Sequence, residues 1–361
     1  MSFLRRFVNL VVGACYSRRA VLDAHTPPAT FRLHRINMSR FFYPQPPPPP
    51  DANAMVDARL PRHTMSFYAP RSSSGHRNAS IHFMLLGRDK VLATDQSGHA
   101  AIYDPAAHAM RTAPPFTKPK DNPVSVAVGD NALYVLDTST RPHDPCFEAL
   151  VYERDGLRTG PWNLDCYDDW RCHTLPPRPF PGDFVSTVAV SAYTVVGGSD
   201  IWMSTKDGGT YSFDTARRAW AKQGDWTLPF EGLAEYVPEY NLWFGLSSTN
   251  HLCAFDLASA AKQQSPPTRR NVWEDLKPPK DWRPATSYLV HLGSGRFCVA
   301  RFFHKIDRIP GRDIGTNQTV QAVFTGVEVK PCGKAGRGLR MIKHKSECYS
   351  LGEELRYHWV L

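Results

Sequence analysis

The densest run of chemistry-bearing side chains is Asp165-Cys166-Tyr167-Asp168-Asp169-Trp170-Arg171-Cys172-His173, with carboxylates, thiols and an imidazole within nine residues. Such a set could bind a cation or supply an acid and a base to one substrate. The competing reading is a polar segment between strands in which Trp170 belongs to the core. Asp168, Asp169 and His173 are then exposed side chains available to a partner, and that is the reading we carry forward.

No other run has a catalytic signature. The chain contains no G-x-x-x-x-G-K-[ST], no G-x-S-x-G and no H-E-x-x-H, the spacings that phosphate cradles, nucleophile elbows and zinc helices require. Gly333, Gly336 and Gly338 make a glycine-rich turn in the wrong order for a dinucleotide fingerprint. The 8 cysteines include no C-x-x-C. Cys253 and Cys298 sit inside apolar runs, where a thiol acts as a small hydrophobe, so reduced core cysteines are expected and zinc is not. Trp202, Trp220, Trp226, Trp243 and Trp273 could stack on a sugar or a base. Their regular placement points to core packing instead. The expectation is a non-enzyme with no catalytic residue, metal or cofactor.

Charge supplies a second candidate surface. The 43 Lys and Arg exceed the 34 acids to give +9, and the excess lies at the two ends: residues 1–40 hold seven Arg against one Asp, and residues 301–361 hold eleven basic side chains against six acids. If the fold joins the ends, Arg32, Arg35, Arg340, Lys343 and Lys345 would face an acidic protein, RNA or a membrane surface. A solvated basic edge is the alternative. Residues 1–30, with Arg5, Arg6, Arg18 and Arg19 around an apolar Phe7–Ala14, are assigned as a basic segment that is either a targeting peptide or a strand or helix docked on the domain. Asn37, Asn78 and Asn317 begin N-x-S/T sequons, which matter only in the secretory pathway. Cytoplasm or nucleus is the expected compartment, with organelle targeting by the Arg-rich N-terminus the alternative.

The elements that must hold these residues are strands. No stretch approaches the ~20 apolar residues of a membrane helix, so no membrane span is expected. An aromatic fraction of 12% and 31 Pro disfavour helical bundles. Pro46–Pro50 and the Ser-rich Arg71–Gly75 mark a Pro-rich loop insertion at 44–80, expected to have little packed structure. After Ser80 come apolar runs of four to eight residues broken by Gly, Asp, Asn and Pro, the strand-and-turn signature.

These runs repeat. One copy reads Val195-Val196-Gly197-Gly198, Ile201-Trp202-Met203, Thr210-Tyr211-Ser212-Phe213-Asp214, Trp220 and Leu228-Pro229. Others centre on Ala101–Asp104, Ala149–Glu153, Leu252–Asp256 and Gln321–Thr325. The first four acidic turn residues, Asp104, Glu153, Asp214 and Asp256, are 49, 61 and 42 residues apart. Units of this size built from short strands suit propeller blades. Phe31–Ile36 would meet Leu339–Ile342 and Tyr357–Leu361 in a shared closing blade, because pairing the chain ends removes an open edge.

The Gly-Gly, Tyr-x-Phe-Asp, Trp and Leu-Pro pattern of residues 197–229 resembles the kelch repeat of galactose-oxidase-like propellers. Arg5–Val12, Leu33–Ile36, Ala234–Glu239, Tyr288–Phe297 and Phe324–Val329 look like the segments of a grass-lineage, rice-type family of kelch-like proteins of unknown function. That resemblance implies a plant source and a propeller fold and carries over no catalytic residues. The expected object is an all-β, single kelch-type propeller over 31–361, with about six four-stranded blades closed by N- and C-terminal strands, acting as a non-catalytic protein-interaction module. A ligand- or sugar-binding propeller or an enzyme with an axial site is the first alternative, and a nucleic-acid-associated protein using the basic closing blade is the second.

Overall fold

The computed structural model describes residues 5–14, 29–44, 55–70, 80–139, 146–154, 168–180, 190–206, 208–263, 265–273, 282–308, 316–333, 338–352 and 355–361. The chain divides into two compact units, one of Met1–Tyr68, Pro229–Gln263 and Pro267–Leu361, the other of Ala69–Leu228 and Gln264–Pro266. It opens with β1 (Phe7–Ala14), β2 (Thr30–Asn37), β3 (Met55–Asp57) and β4 (His63–Tyr68). The second unit holds β5 (Ile81–Leu86), β6 (Lys90–Asp95), β7 (Ala100–Asp104), β8 (Ala109–Ala113), β9 (Pro123–Val128), β10 (Ala132–Asp137), β11 (Phe147–Arg154), β12 (Asp168–Thr174), β13 (Val190–Val196), β14 (Asp200–Thr205), β15 (Gly209–Asp214) and β16 (Ala219–Gly224). The first unit resumes with β17 (Glu231–Val237), β18 (Leu242–Leu246), β19 (Leu252–Asp256), α1 (Leu257–Gln263), β20 (Thr268–Trp273), β21 (Trp282–Gly293), β22 (Arg296–Arg308), β23 (Thr316–Cys332), β24 (Gly338–Gly352) and β25 (Leu355–Val360).

In the second unit β5 to β8, β9 to β12 and β13 to β16 are successive antiparallel meanders of four strands. Their middle strands are buried on both faces: β14 from Ile201 to Thr205, and β15 from Gly209 to Phe213. This explains why the sequence shows continuous apolar runs there rather than alternation. The fourth strands are the reverse, β8 being exposed from Ala109 to Thr112. Two local devices recur. Gly197 and Gly198 both take positive φ, 63° and 81°, in the β13–β14 hairpin, where L side chains would be strained. Asp104 and Asp214 close the last hairpin of their meanders by accepting backbone N–H groups, from Ala106 and Ala107 at 2.9 and 3.1 Å and from Ala216 and Arg217 at 2.9 Å each. His108 and Arg218 then turn left-handed at φ 50° and 53°. Asp256 accepts from Ser259 N–H at 3.0 Å but starts α1 instead, so one side chain serves two connections.

The first unit contains the meanders β17 to β20 and β21 to β24, and a sheet in the order β25-β1-β2-β4. The N- and C-terminal strands do share a sheet: β1 pairs β25 from Leu10↔Val360 onward, and Asn9 and Leu361 exchange both backbone hydrogen bonds at 2.9 Å. The apolar part of the 1–30 segment is therefore a strand buried in this sheet, with Val8, Leu10 and Val11 at 0% exposure. Arg18 and Arg19 lie outside the described residues. The 44–80 insertion has more structure than expected. His63–Tyr68 is the edge strand β4, because Met65 and Phe67 alternate toward the core, and Met55–Asp57 is a short added strand. Pro46–Pro50 and Arg71–Gly75 lie outside the described residues. Leu339–Ile342 belongs to β24 and not to the closing sheet, since Leu339 and Met341 pack on Val327 and Val329 of the neighbouring β23 region. No helix is long and apolar enough to cross a membrane among the described residues.

The cores follow the same logic. In the second unit Leu92, Leu133, Val135 and Leu150 join Trp170, and a separate ring cluster is built on Phe213, whose ring lies 4.8 Å from Phe147, 5.0 Å from Trp220 and 6.2 Å from Tyr134. Phe213 is fully buried. Phe213→Ala should lower unfolding free energy by about 3–5 kcal/mol, checked by urea denaturation followed through tryptophan fluorescence.

Candidate interaction surface

The described part of the nine-residue cluster, Asp168–His173, is divided between the two faces of a strand, with Asp169, Arg171 and His173 on one face and the last two both directed at Glu153, at 3.7 and 3.0 Å. From Asp168 onward it is the strand β12, paired with β11 in the register Glu153↔Asp169, Tyr152↔Trp170 and Ala149↔His173. Successive side chains therefore point to opposite faces. Trp170 is buried with Tyr152 at 5.2 Å between ring centroids. Asp169 accepts from Arg111 at 2.5 Å and from Trp170 N–H at 2.6 Å, while His173 Nε2 donates to Glu153 at 3.0 Å. Asp168 and Asp169 are exposed at the head of the strand. Asp165, Cys166 and Tyr167 lie outside the described residues. Among the described residues no group of three or more His, Cys, Asp and Glu side chains is arranged to hold a metal ion.

The basic residues fall on two strands. Arg32 and Arg35 are on β2, opposite Val12 and Asn9 of β1, and the Arg35 guanidinium lies 4.4 Å from the centre of the Phe7 ring. Arg340, Lys343 and Lys345 are on β24. Arg340 and Lys345 are exposed, and the Lys345 ammonium lies 5.3 Å from the Tyr43 ring, just beyond β2. The five residues thus lie on two sheets of the first unit.

Three polar centres went unmarked in the sequence. In the second unit Lys120 and Glu148 form a fully buried ion pair, and Glu148 also accepts from Thr117 N–H at 2.8 Å. Burial pushes the Glu148 carboxyl up, but Lys120 and Thr117 outweigh it and hold it below the usual range. The Cys172 thiol beside it, 3.5 Å away, is pushed up to about 12 by burial and by that carboxylate. In the first unit Glu328 gathers Arg296 at 3.1 Å, Lys330 at 3.0 Å and His344 at 3.4 Å. His344 Nδ1 accepts from Tyr43 N–H at 3.2 Å, which leaves the ring proton on Nε2, facing Glu328. Further along, His358 stacks on Phe302 at 3.8 Å and lies 2.6 Å from the Thr286 hydroxyl. Burial, with nearby His304, pushes its pKa down to about 4. The Glu148 and Glu328 carboxylates are each met by cations, which is what burial demands of ionised groups.

The remaining sequence expectations are placed as follows. Cys146, Cys172, Cys253, Cys298, Cys332 and Cys348 are free thiols. Cys15 and Cys166 lie outside the described residues. Trp202, Trp243 and Trp273 are buried, and Trp220 packs between Phe147 and Phe180. Trp226 lies 5.9 Å from Trp202. Asn37 spends its side chain on Ser39, accepting from its N–H at 3.1 Å and its hydroxyl at 2.7 Å. Asn78 lies outside the described residues.

Two outcomes follow from the buried groups. Lys120→Met leaves the Glu148 carboxylate without its cation and should cost about 3–5 kcal/mol, with much of the loss recovered in Lys120→Met/Glu148→Leu; chemical denaturation of the single and double variants measures both. His358 favours its neutral form in the folded state, so its contribution is present above its ordinary 6.5 and is lost as pH falls toward about 4. His358→Asn should therefore lose less stability than wild type between pH 7 and pH 5, read from urea midpoints.

No curated protein sequence matches the chain. Among solved structures it is similar to a protein from Lactobacillus plantarum at 10% identity and TM-score 0.41, covering 98% of this chain and 99% of that one. It is also similar to the β-propeller domain of Cps50 (Swd1) from Myceliophteria thermophila at 10% identity and TM-score 0.40, covering 91% and 95%. The family model described as protein of unknown function, DUF1668, matches residues 5–349, and the chain belongs to that family.

Proposed function

We propose that this chain is a non-catalytic protein-interaction module, its four-stranded meanders serving as the blades of a six-bladed, kelch-type propeller. The observation that supports the reading is the gradient of burial across the meanders β5 to β8, β13 to β16 and β17 to β20. Middle strands such as β14 and β19 are buried on both faces, whereas the outer strands β8 and β20 are largely exposed. A stiff scaffold that presents variable outer strands and loops is suited to recognition. The surface carries apolar side chains as well as charge, with Met110 of β8 and Val272 of β20 at 45% and 39% exposure. Asp168, Asp169 and His173 at the long second meander are the first contact candidates. The polar centres at Glu148 and Glu328 are assigned to stability.

The test is affinity purification of the tagged full-length chain from nuclease-treated plant extract at low and moderate salt, followed by mass spectrometry. A stoichiometric protein partner that survives both treatments is the expected result, and it should be lost when Asp168, Asp169 and His173 are replaced by alanine. Recovery of nucleic acid, of a bound sugar or of turnover by the purified chain in place of a protein partner would overturn the reading.

A further inference from the structure

Glu328 lies on β23 in a register that gathers cations around it. It faces Arg296 of β22 at 3.1 Å, and Lys330, two residues on along its own strand, reaches the same carboxylate at 3.0 Å. His344 of β24 approaches it at 3.4 Å. Burial pushes the His344 imidazole below its ordinary pKa in spite of that carboxylate, so the ring is neutral at pH 7. One negative charge thus answers two positive ones. Directly opposite Lys330, in the pair Lys330↔Arg340, β24 places a further cation, and Arg340 is exposed. Residues paired in this way share one face of the sheet, and like charges so placed repel. From 329 to 346 the sequence has no Asp or Glu, so the β23–β24 hairpin brings no acid to separate them.

We infer that the facing pair Lys330 and Arg340 binds a phosphate monoester carried on a phosphorylated side chain of a partner protein. This deepens the interaction-module reading and rests on it. A phosphate monoester carries about −1.5 to −2 charge at pH 7, which suits the two positive charges that remain on this face once Glu328 is set against Arg296. Phosphate oxygens accept two parallel bonds from a guanidinium and meet an ammonium as a point charge. Arg340 supplies the fork and Lys330 the second contact. Glu328 and Arg296 are positioning residues: the carboxylate fixes the Lys330 ammonium, and Arg296 on that same carboxylate keeps Lys330 from being neutralised. A phosphorylated segment is favoured over RNA or a membrane surface because the charge is concentrated at one facing pair. Further along β24 it ends at Glu347 and at Asp57 of the paired β3, two carboxylates that a polyanion laid along the strand would meet.

The probe is a fluorescein-labelled peptide of glycine and alanine around one phosphoserine, titrated with the full-length chain and followed by fluorescence anisotropy. Saturable binding is expected, and the same peptide with unmodified serine should bind about tenfold more weakly or worse. Arg340→Gln should weaken the phosphopeptide by a similar factor without lowering the thermal unfolding midpoint, because it removes one of two facing like charges. That second readout separates a lost site from a lost fold. Equal binding of the unmodified peptide, or phosphopeptide binding untouched by Arg340→Gln, would overturn the inference. Displacement of the phosphopeptide by inorganic phosphate at equal concentration would reassign the pair to free phosphate, and displacement by an oligothymidylate or by phosphatidylserine vesicles would reassign it to a polyanion; each of these overturns it too. Absence of phosphopeptide binding while the purification above still yields a protein partner sinks the site and leaves the module. Absence of both sinks both.

Discussion

The first unit depends on one constraint, that no backbone hydrogen-bonding group of a buried strand can be left unpaired. β1 is apolar and sits in the interior of its sheet, so it needs a neighbour on each side. β2 supplies one and β25, more than 340 residues later in the chain, supplies the other. The reciprocal Asn9–Leu361 bonds lock that register at its end. Val8, Leu10 and Val360 then share a core with Val290, Phe302, Phe324 and Tyr349 of the long hairpins. Those hairpins carry Glu328 and His344, so the charged cluster of this unit stands on strands that share their core with β1 and β25.

The second unit handles the fully buried ion pair Lys120–Glu148 differently. Lys120 lies in the connection between β8 and β9, and Glu148 near the start of β11. The pair draws the connection against its own sheet, and the Lys120 ammonium also lies 5.4 Å from the Phe116 ring. An apolar pair of similar volume could do as well for stability; what the ionic pair adds is a fixed set of contacts for the connection, with Lys120 and the Thr117 N–H both directed at Glu148.

Much of the strand pattern can be read from residue types, and the reasons it fails elsewhere are physical. The run from Val195 to Asp214 announces itself because a two-residue glycine turn and an Asp turn bracket apolar strands. β4 does not, because Met65 and Phe67 alternate inside a Pro-rich neighbourhood whose composition argues for loop. Asp168, Asp169 and His173 look like one cluster along the chain, but the two-residue period of β12 leaves Asp169 and His173 on one face and turns Asp168 to the other, a rule that applies only once the segment is known to be a strand. Lys120 and Glu148 are 28 residues apart, and nothing local to either marks the other as its partner. The basic ends were visible as composition, but which strand each residue occupies depends on β24 continuing the hairpin from β23 and not pairing with β2.

The pairing of β1 with β25 also sets an order of events during synthesis. β1 cannot complete its sheet until β25, more than 340 residues later, has been synthesised, whereas the sheets β5 to β8 and β9 to β12 are completed within Ile81–Thr174. Domains fold as their chain emerges, so the N-terminal strand must wait with one apolar edge unsatisfied for most of translation. A copy that lacks β25 would carry that edge permanently, an exposed strand by which quality-control factors tell it from one in which β25 is in place.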